Sequence, residues 1–172
     1  MADLPAVIGN VEVAVPGTDL PAFGDGSSFR RILVPVSSPG RSADALATAT
    51  RICASTINGV LRLVHVRIYD PPVARCPGRF YLETRGEAAA LIDESLLIVW
   101  GCGGTATTAV VDAPRSELAA AIAREASAWR ADMIVLTRRR RPALSRLVLG
   151  SVADQIMRAA ICPVLTVPSN RR

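Results

Sequence analysis

The sequence ILVPV at residues 32–36 is followed directly by the turn signal SSPG at residues 37–40. A short apolar run that stops at such a signal is typical of a β-strand buried on both faces. The next residues return to helical spacing, with Leu46, Ala49 and Cys53 on one face of a predicted helix. A buried strand followed by an amphipathic helix is the unit from which parallel α/β sheets are built.

The same alternation continues along the chain. Four further apolar or alternating runs predict strands at residues 60–66, 107–111, 133–136 and 163–167. Helical spacing between them predicts three further helices. One covers residues 83–99, one has Pro114 in its first turn, and one begins at a capping box at residues 151–154. This order of elements predicts one α/β domain with a doubly wound sheet of five parallel strands, right-handed crossovers and helices on both faces. Such sheets bind ligands at the carboxyl ends of the strands, where the strand order reverses.

The residues before this domain have a different composition. Residues 1–29 are rich in proline and glycine and carry no basic residue, so we predict an irregular leader rather than a secretory signal. Within it, Val11 to Val15 is a candidate short strand. The longest uncharged stretch, residues 95–111, is interrupted by glycines and is too polar to span a bilayer. We therefore expect a cytoplasmic protein without membrane contact, with its folded domain at residues 30–168 and a tail at 169–172.

Two absences limit the chemistry. All 20 basic residues are Arg, so a P-loop lysine and a Schiff-base lysine are excluded. There is one histidine, His65, which lies in an alternating strand and is predicted to be a satisfied sheet residue. No two cysteines form a CxxC pair. The chain has four: Cys53, Cys76, Cys102 and Cys162. We predict no metal site and no catalytic residue.

The net positive charge and four of the carboxylates can each be explained with or without a function. The formal net charge of +5 suits a nucleic-acid partner, but no aromatic residues are interleaved with the arginines. We favour a coding bias of the genome and expect no nucleic-acid partner. Four carboxylates fall at strand ends or helix starts, where capping and dipole compensation explain them without catalysis: Asp70, Asp112, Glu117 and Asp132.

Five stretches of the chain resemble the universal stress protein family. Residues 32–36 are similar to its first strand, LVHV at 63–66 to its second, and ADMIVL at 131–136 to its fourth. LSRLVLGSVA at 144–153 is similar to the signature loop and last helix, and CPVLTV at 162–167 completes the match. The likeness covers about residues 30–168 in the family's order.

This resemblance implies a flavodoxin-like sheet with strand order 3-2-1-4-5. It also implies a homodimer that pairs through the last strand, at Val164, Leu165, Thr166 and Val167. Many family members bind ATP or another adenine nucleotide. Carried over position by position, the family's nucleotide-binding residues are Pro35, Val36, Ser37, Val66, Leu136, Thr137, Arg140, Gly150, Ser151 and Val152.

The nucleotide loop departs from the family pattern at three positions. The family has glycines where this chain has Thr137 and Arg140, and an acidic residue where it has Ser37. Glycine lets backbone N–H groups approach a phosphate closely and reaches positive φ at low cost. A β-branched threonine and a long arginine do neither. Only Gly150 and the following Ser151 keep the pattern.

Two interpretations of this loop stay open. The helix that begins at Gly150-Ser151 can hold an anion at its N-terminus, assisted by arginines that bind phosphate without a glycine cradle: Arg138, Arg139, Arg140, Arg141 and Arg146. Alternatively, the loop is a solvated basic segment whose glycines drifted after nucleotide binding ceased.

The sequence thus predicts a non-enzymatic universal stress protein that acts in the stress response as a homodimer, through an unidentified protein partner, with weak or absent ATP binding and no required cofactor. The alternative is an adenine-nucleotide-binding regulator that uses the Arg138–Arg141 cluster and the Gly150–Ser151 helix start. A third hypothesis is a binder of polyanions or acidic partners, driven by the same arginines.

Overall fold

The computed structural model describes residues 12–14, 29–72, 78–138 and 152–169. In chain order the elements are β1 (Glu12–Ala14), β2 (Arg31–Val36), α1 (Pro39–Ala54), β3 (Val60–Asp70), β4 (Phe80–Tyr81), α2 (Arg85–Gly101), β5 (Ala106–Pro114), a 3-10 turn (Arg115–Glu117), α3 (Leu118–Ala128), β6 (Met133–Arg138), α4 (Val152–Ala159) and β7 (Val164–Pro168).

One sheet organises the chain. Its five long strands are parallel and lie in the order β5-β3-β2-β6-β7. Numbered along the chain among themselves, these strands run 3-2-1-4-5, so the predicted doubly wound, flavodoxin-like fold is confirmed. Two short antiparallel strands complete the sheet, β1 beside β7 and β4 beside the end of β3. The short strand predicted within Val11 to Val15 is therefore found as β1.

The core lies in two layers because neighbouring residues of each strand face opposite sides of the sheet. Val34, Leu63 and Val135 pack on the side of α1 and α2. Their sequence neighbours Leu33, Val64 and Ile134 pack on the side of α3 and α4. These six side chains are fully buried. Burial on both faces explains the continuous apolar runs ILVPV in β2 and MIVL in β6.

The turn between α1 and β3 depends on close backbone packing. Asn58 has a φ of 59°, a left-handed conformation that asparagine adopts more readily than most residues. At Gly59 a Cβ atom would lie 2.5 Å from the carbonyl oxygen of Cys53. Only glycine fits this position without movement of the helix end, which fixes where β3 starts.

Two strands continue three or more residues beyond their predicted ends. Strand β3 continues to Asp70, four residues beyond the predicted end at Val66. Strand β5 continues to Pro114, which the sequence placed in the first turn of a helix, whereas α3 begins at Leu118 after the 3-10 turn. Both extensions arise from one ladder, in which β3 and β5 pair as far as Tyr69 and Pro114.

Polar groups fasten the amino ends of β2 and β6. Asp132 accepts hydrogen bonds from the backbone N–H groups of Arg30 and Arg31, at 3.0 and 2.8 Å. The Arg31 guanidinium lies 4.5 Å from the centroid of the Trp129 ring and donates to the Trp129 carbonyl. Asp132 therefore joins two strands. The sequence had suggested a helix cap or a dipole partner, and for Asp132 that prediction is wrong. No helix in the described parts of the chain is long and apolar enough to cross a membrane.

Candidate functional site at the carboxyl end of β2

The strand order reverses at β2, which has β3 on one side and β6 on the other. Ligands bind at this point in doubly wound sheets because the crossovers on its two sides run to opposite faces. We call the polar residues on one side the β3 flank (His65, Arg67, Tyr81, Glu83 and Asp112). The residues on the other side, at the end of β6, are the β6 flank (Leu136, Thr137 and Arg138).

The structure brings part of the predicted nucleotide site together. Pro35 and Val36 end β2, and Ser37 follows them. Val66 lies on β3 one position past the residue paired with Val36, while Val152 is the first residue of α4. The remaining predicted residues of the loop lie outside the described parts of the chain: Arg139, Arg140, Arg141, Arg146, Gly150 and Ser151.

Backbone donors at the start of α1 are largely occupied. The N–H of Ser37 lies 3.4 Å from Oγ of Ser42 and donates to it. Pro39, the first residue of α1, has no N–H to offer. The N–H groups of Arg41 and Ser42 donate to the carbonyl oxygen of Ser38, at 3.2 and 3.0 Å. This helix start therefore offers few donors to an anion.

The β6 flank carries a buried hydroxyl. Oγ1 of Thr137 makes no hydrogen bond with any residue that the structure describes. A buried polar group without a partner costs about 1–3 kcal/mol relative to one that is hydrogen-bonded. The resemblance in sequence places the family's first loop glycine at Thr137. The flank therefore presents a buried side-chain hydroxyl at the end of β6.

The first group on the β3 flank is His65, which is 5% exposed. Its Nδ1 lies 2.9 Å from the carbonyl oxygen of Val36, and its Nε2 lies 2.6 Å from Oε1 of Glu83. Both neighbours are acceptors, so His65 and Glu83 together must hold one proton more than neutral imidazole and carboxylate to make both bonds. The prediction of a satisfied sheet histidine is confirmed, and its partner Glu83 is 18 residues away in sequence.

The second group on the β3 flank is an ion pair across the β3–β5 ladder. Arg67, which is 6% exposed, donates two hydrogen bonds of 2.9 Å to the two carboxylate oxygens of Asp112. The Tyr81 hydroxyl donates to the same carboxylate at 3.0 Å, and the Tyr81 ring lies 4.0 Å from the guanidinium carbon. The hydrogen bonds from Arg67, more than that from Tyr81, lower the pKa of Asp112 below its ordinary value. Asp112 therefore pairs with a buried arginine and is not the cap or dipole partner that the sequence suggested.

These contacts hold the connection between β3 and α2. Tyr81 on β4 packs on Tyr69 of β3, with ring centroids 5.5 Å apart. The next helix then starts with a capping box, in which Oγ1 of Thr84 accepts from the Glu87 N–H and Glu87 accepts from the Thr84 N–H at 2.7 Å. The backbone hydrogen bond from Thr84 is the main cause that lowers the pKa of Glu87. The spacing Thr84-x-x-Glu87 is a recognisable signal that our sequence analysis missed.

Two of the cysteines are chemically passive. Burial raises the pKa of the Cys53 and Cys162 thiols to about 11, so both stay protonated and poorly nucleophilic at neutral pH. Among the residues that the structure describes, no three His, Cys, Asp or Glu side chains come together to hold a metal ion.

Comparison with known proteins identifies the family. The chain matches the universal stress protein family over residues 28–168. It belongs to that family. A universal stress protein from Archaeoglobus fulgidus superposes with a TM-score of 0.63 at 21% identity, covering 80% of this chain and 98% of its own. Comparison with curated protein sequences finds no match.

Two further solved structures were obtained with nucleotides. A universal stress protein in complex with cAMP gives a TM-score of 0.62 at 20% identity, covering 84% of this chain and all of its own. The A. fulgidus protein in complex with dAMP gives 0.58 at 19%, covering 81% and 98%. At this identity the likeness supports the universal stress protein fold and leaves the ligand of this chain to its own residues.

Proposed function

We propose that this chain is a non-enzymatic universal stress protein of the cytoplasm that acts in the stress response as a homodimer, through a protein partner, with weak or absent ATP binding. The observation that carries the proposal is that the polar groups of the β3 flank, beside the predicted nucleotide site, are already bonded within the chain. On the β3 flank, the His65 ring bonds to the Val36 carbonyl and Glu83, and the two groups of the ion pair bond to each other.

The centre of the site supports the same proposal. Ser37 replaces the acidic residue that family members present to a ribose, and its N–H is bonded to Ser42. Thr137 adds a β-branched side chain where a phosphate would need a bare backbone. A nucleotide would have to displace the hydrogen bond between Ser37 and Ser42. It would also lack the carboxylate at Ser37 and the glycine backbone at Thr137 that family members provide.

Analysis of co-purified nucleotide tests this function. The purified full-length protein is denatured, and the supernatant is examined by mass spectrometry for adenine nucleotides. We expect an amount far below one per chain. ATP or ADP at one equivalent per chain would contradict the proposal. The Glu117→Ala variant, altered at an exposed ion pair with Arg124 that lies outside both flanks, serves as a control for non-specific carry-over.

One observation favours a second candidate, an adenine-nucleotide-binding regulator. The buried hydroxyl of Thr137 bonds to no residue within the described ranges, and a phosphate oxygen is an acceptor that would satisfy it. The arginines from Arg138 to Arg141 would supply charge, and Gly150-Ser151 the helix start. In this case Thr137→Val and Arg138→Ala each weaken calorimetric AMP binding severalfold, whereas Arg158→Ala on α4 leaves it unchanged. Absence of heat with millimolar AMP, ATP and cAMP would exclude this candidate.

A further inference from the structure

The outer edge of β7 is covered by a segment from the other end of the chain. Residues Glu12, Val13 and Ala14 pair antiparallel with Thr166, Leu165 and Val164 respectively. The five parallel strands alone would leave β7 as an edge, with one row of backbone N–H and C=O groups unpaired. Strand β1 fills three positions of that row.

This edge is well suited to pairing with another strand. Its residues Val164, Leu165, Thr166 and Val167 are at most 9% exposed, and three of them belong to the two core layers. None of these residues is charged. Two copies related by a two-fold axis would pair antiparallel through the same strand without placing like charges opposite each other. The antiparallel direction is the one that β1 already adopts.

The cover is short compared with the strand beneath it. Strand β1 has three residues and β7 has five. A ladder of three residues contributes few hydrogen bonds, and its advantage over an outside strand is that it belongs to the same chain. A second copy that offers the whole of β7 would form a longer ladder, and its binding rises with protein concentration.

We propose that β1 is an intrachain cap that competes with a second copy of this chain for the β7 edge. The inference rests on the proposed homodimer through β7 and adds to it a device that limits dimerisation. Dimerisation through β7 then needs two chains in which β1 has left the β7 edge, which we call open chains. If about ten chains are capped for each open one, both partners carry this tenfold penalty, so the cap weakens dimerisation about a hundredfold.

Sedimentation equilibrium of the full-length chain tests the cap. Val13→Pro removes a backbone donor from β1 and disfavours its pairing. We expect this variant to dimerise at least about tenfold more tightly than the wild type, in line with the loss of a competing state. Thr18→Pro, in the same N-terminal segment but outside β1, serves as the matched control and is expected to behave as the wild type. Equal or weaker dimerisation of Val13→Pro would overturn the proposal, and weaker dimerisation would indicate strand exchange between copies.

Hydrogen exchange at residues 164–166 separates the cap from the dimer. In dilute Val13→Pro we expect faster exchange of these amides than in the wild type, and renewed protection as the protein concentration rises. Protection that does not change with concentration, in a protein that dimerises, would place the dimer contact elsewhere and overturn the proposed dimer strand. Dimerisation through β7 that is independent of Val13 would overturn the cap alone.

Discussion

The two flanks of the β2 carboxyl end differ in how their polar groups are used. On the β3 flank, Arg67 and Asp112 bond to each other, and His65 is held between Val36 and Glu83. On the β6 flank, the buried Thr137 hydroxyl bonds to none of the residues that the structure describes. The first flank is a completed network that holds β4 and the start of α2. The second presents a hydroxyl that the described part of the fold does not use, so we look for any remaining ligand chemistry at Thr137.

The largest expected effect comes from breaking the completed flank. Asp112→Ala leaves the guanidinium of Arg67 buried beside β5 without its carboxylate, and a lone charge in such a place is strongly destabilising. We expect the melting temperature to fall by on the order of 10 °C, measured by circular dichroism. The control is Glu117→Ala, because Glu117 and Arg124 form an exposed pair at 3.3 Å, and such pairs contribute little. Equal losses in the two variants would show that the Arg67 network is not important for stability.

The pH dependence of stability sharpens the same point. The pKa of Asp112 is lowered in the folded chain, mainly by the hydrogen bonds from Arg67. Its contribution to the free energy of unfolding is therefore complete at pH values above the unfolded pKa of about 3.9, and is lost as the pH falls through the lower pKa of the folded chain. We expect the gap in melting temperature between the wild type and Asp112→Asn to close as pH falls from about 5 to about 2. Tyr81→Phe, which removes a lesser donor to the carboxylate, gives a smaller gap of the same form. A gap that is constant with pH would contradict this assignment.

The sequence predicted the sheet well because its signals are local. Each central strand contains an apolar or alternating run, and residues 32–40, where the run ends at a turn signal, are the clearest case. The ends of β3 and β5 were missed because their polar residues have no local reason to be extended. Arg67 becomes a strand residue through Asp112, which is 45 positions away. Strand β4 has two residues and exists only through its pairing with the end of β3.

The candidate site was predictable in part. The sequence shows Ser37 and Thr137 at the predicted site, but it does not show the contacts of the residues around them. Glu83 lay in a predicted helix, whereas in the structure it precedes α2 and meets His65. The burial of the Thr137 hydroxyl depends on the packing around β6, which no short motif describes.

A smaller effect is expected from the β6 flank. Thr137→Val keeps the β-branched shape and removes the unsatisfied hydroxyl, so we expect the free energy of unfolding to rise by about 1 kcal/mol. Thr50→Val is the matched control, because the Thr50 hydroxyl is buried and donates to the Leu46 carbonyl at 2.8 Å, and its removal should lower the free energy by a similar amount. Urea denaturation measures both. Destabilisation by Thr137→Val would show that the hydroxyl has a partner in solution.

Calorimetric titration with ATP tests most directly the claim that this universal stress protein has lost the nucleotide site of its family. The wild type is compared with Ser37→Asp/Thr137→Gly/Arg140→Gly, which restores the family residues, and with Ser38→Asp, which adds a carboxylate one position away. We expect no saturable heat from the wild type or from Ser38→Asp at millimolar ATP. In the restored variant we expect saturable binding with a dissociation constant at least about tenfold below that millimolar range. Micromolar binding by the wild type, not improved by the restored residues, would contradict the account.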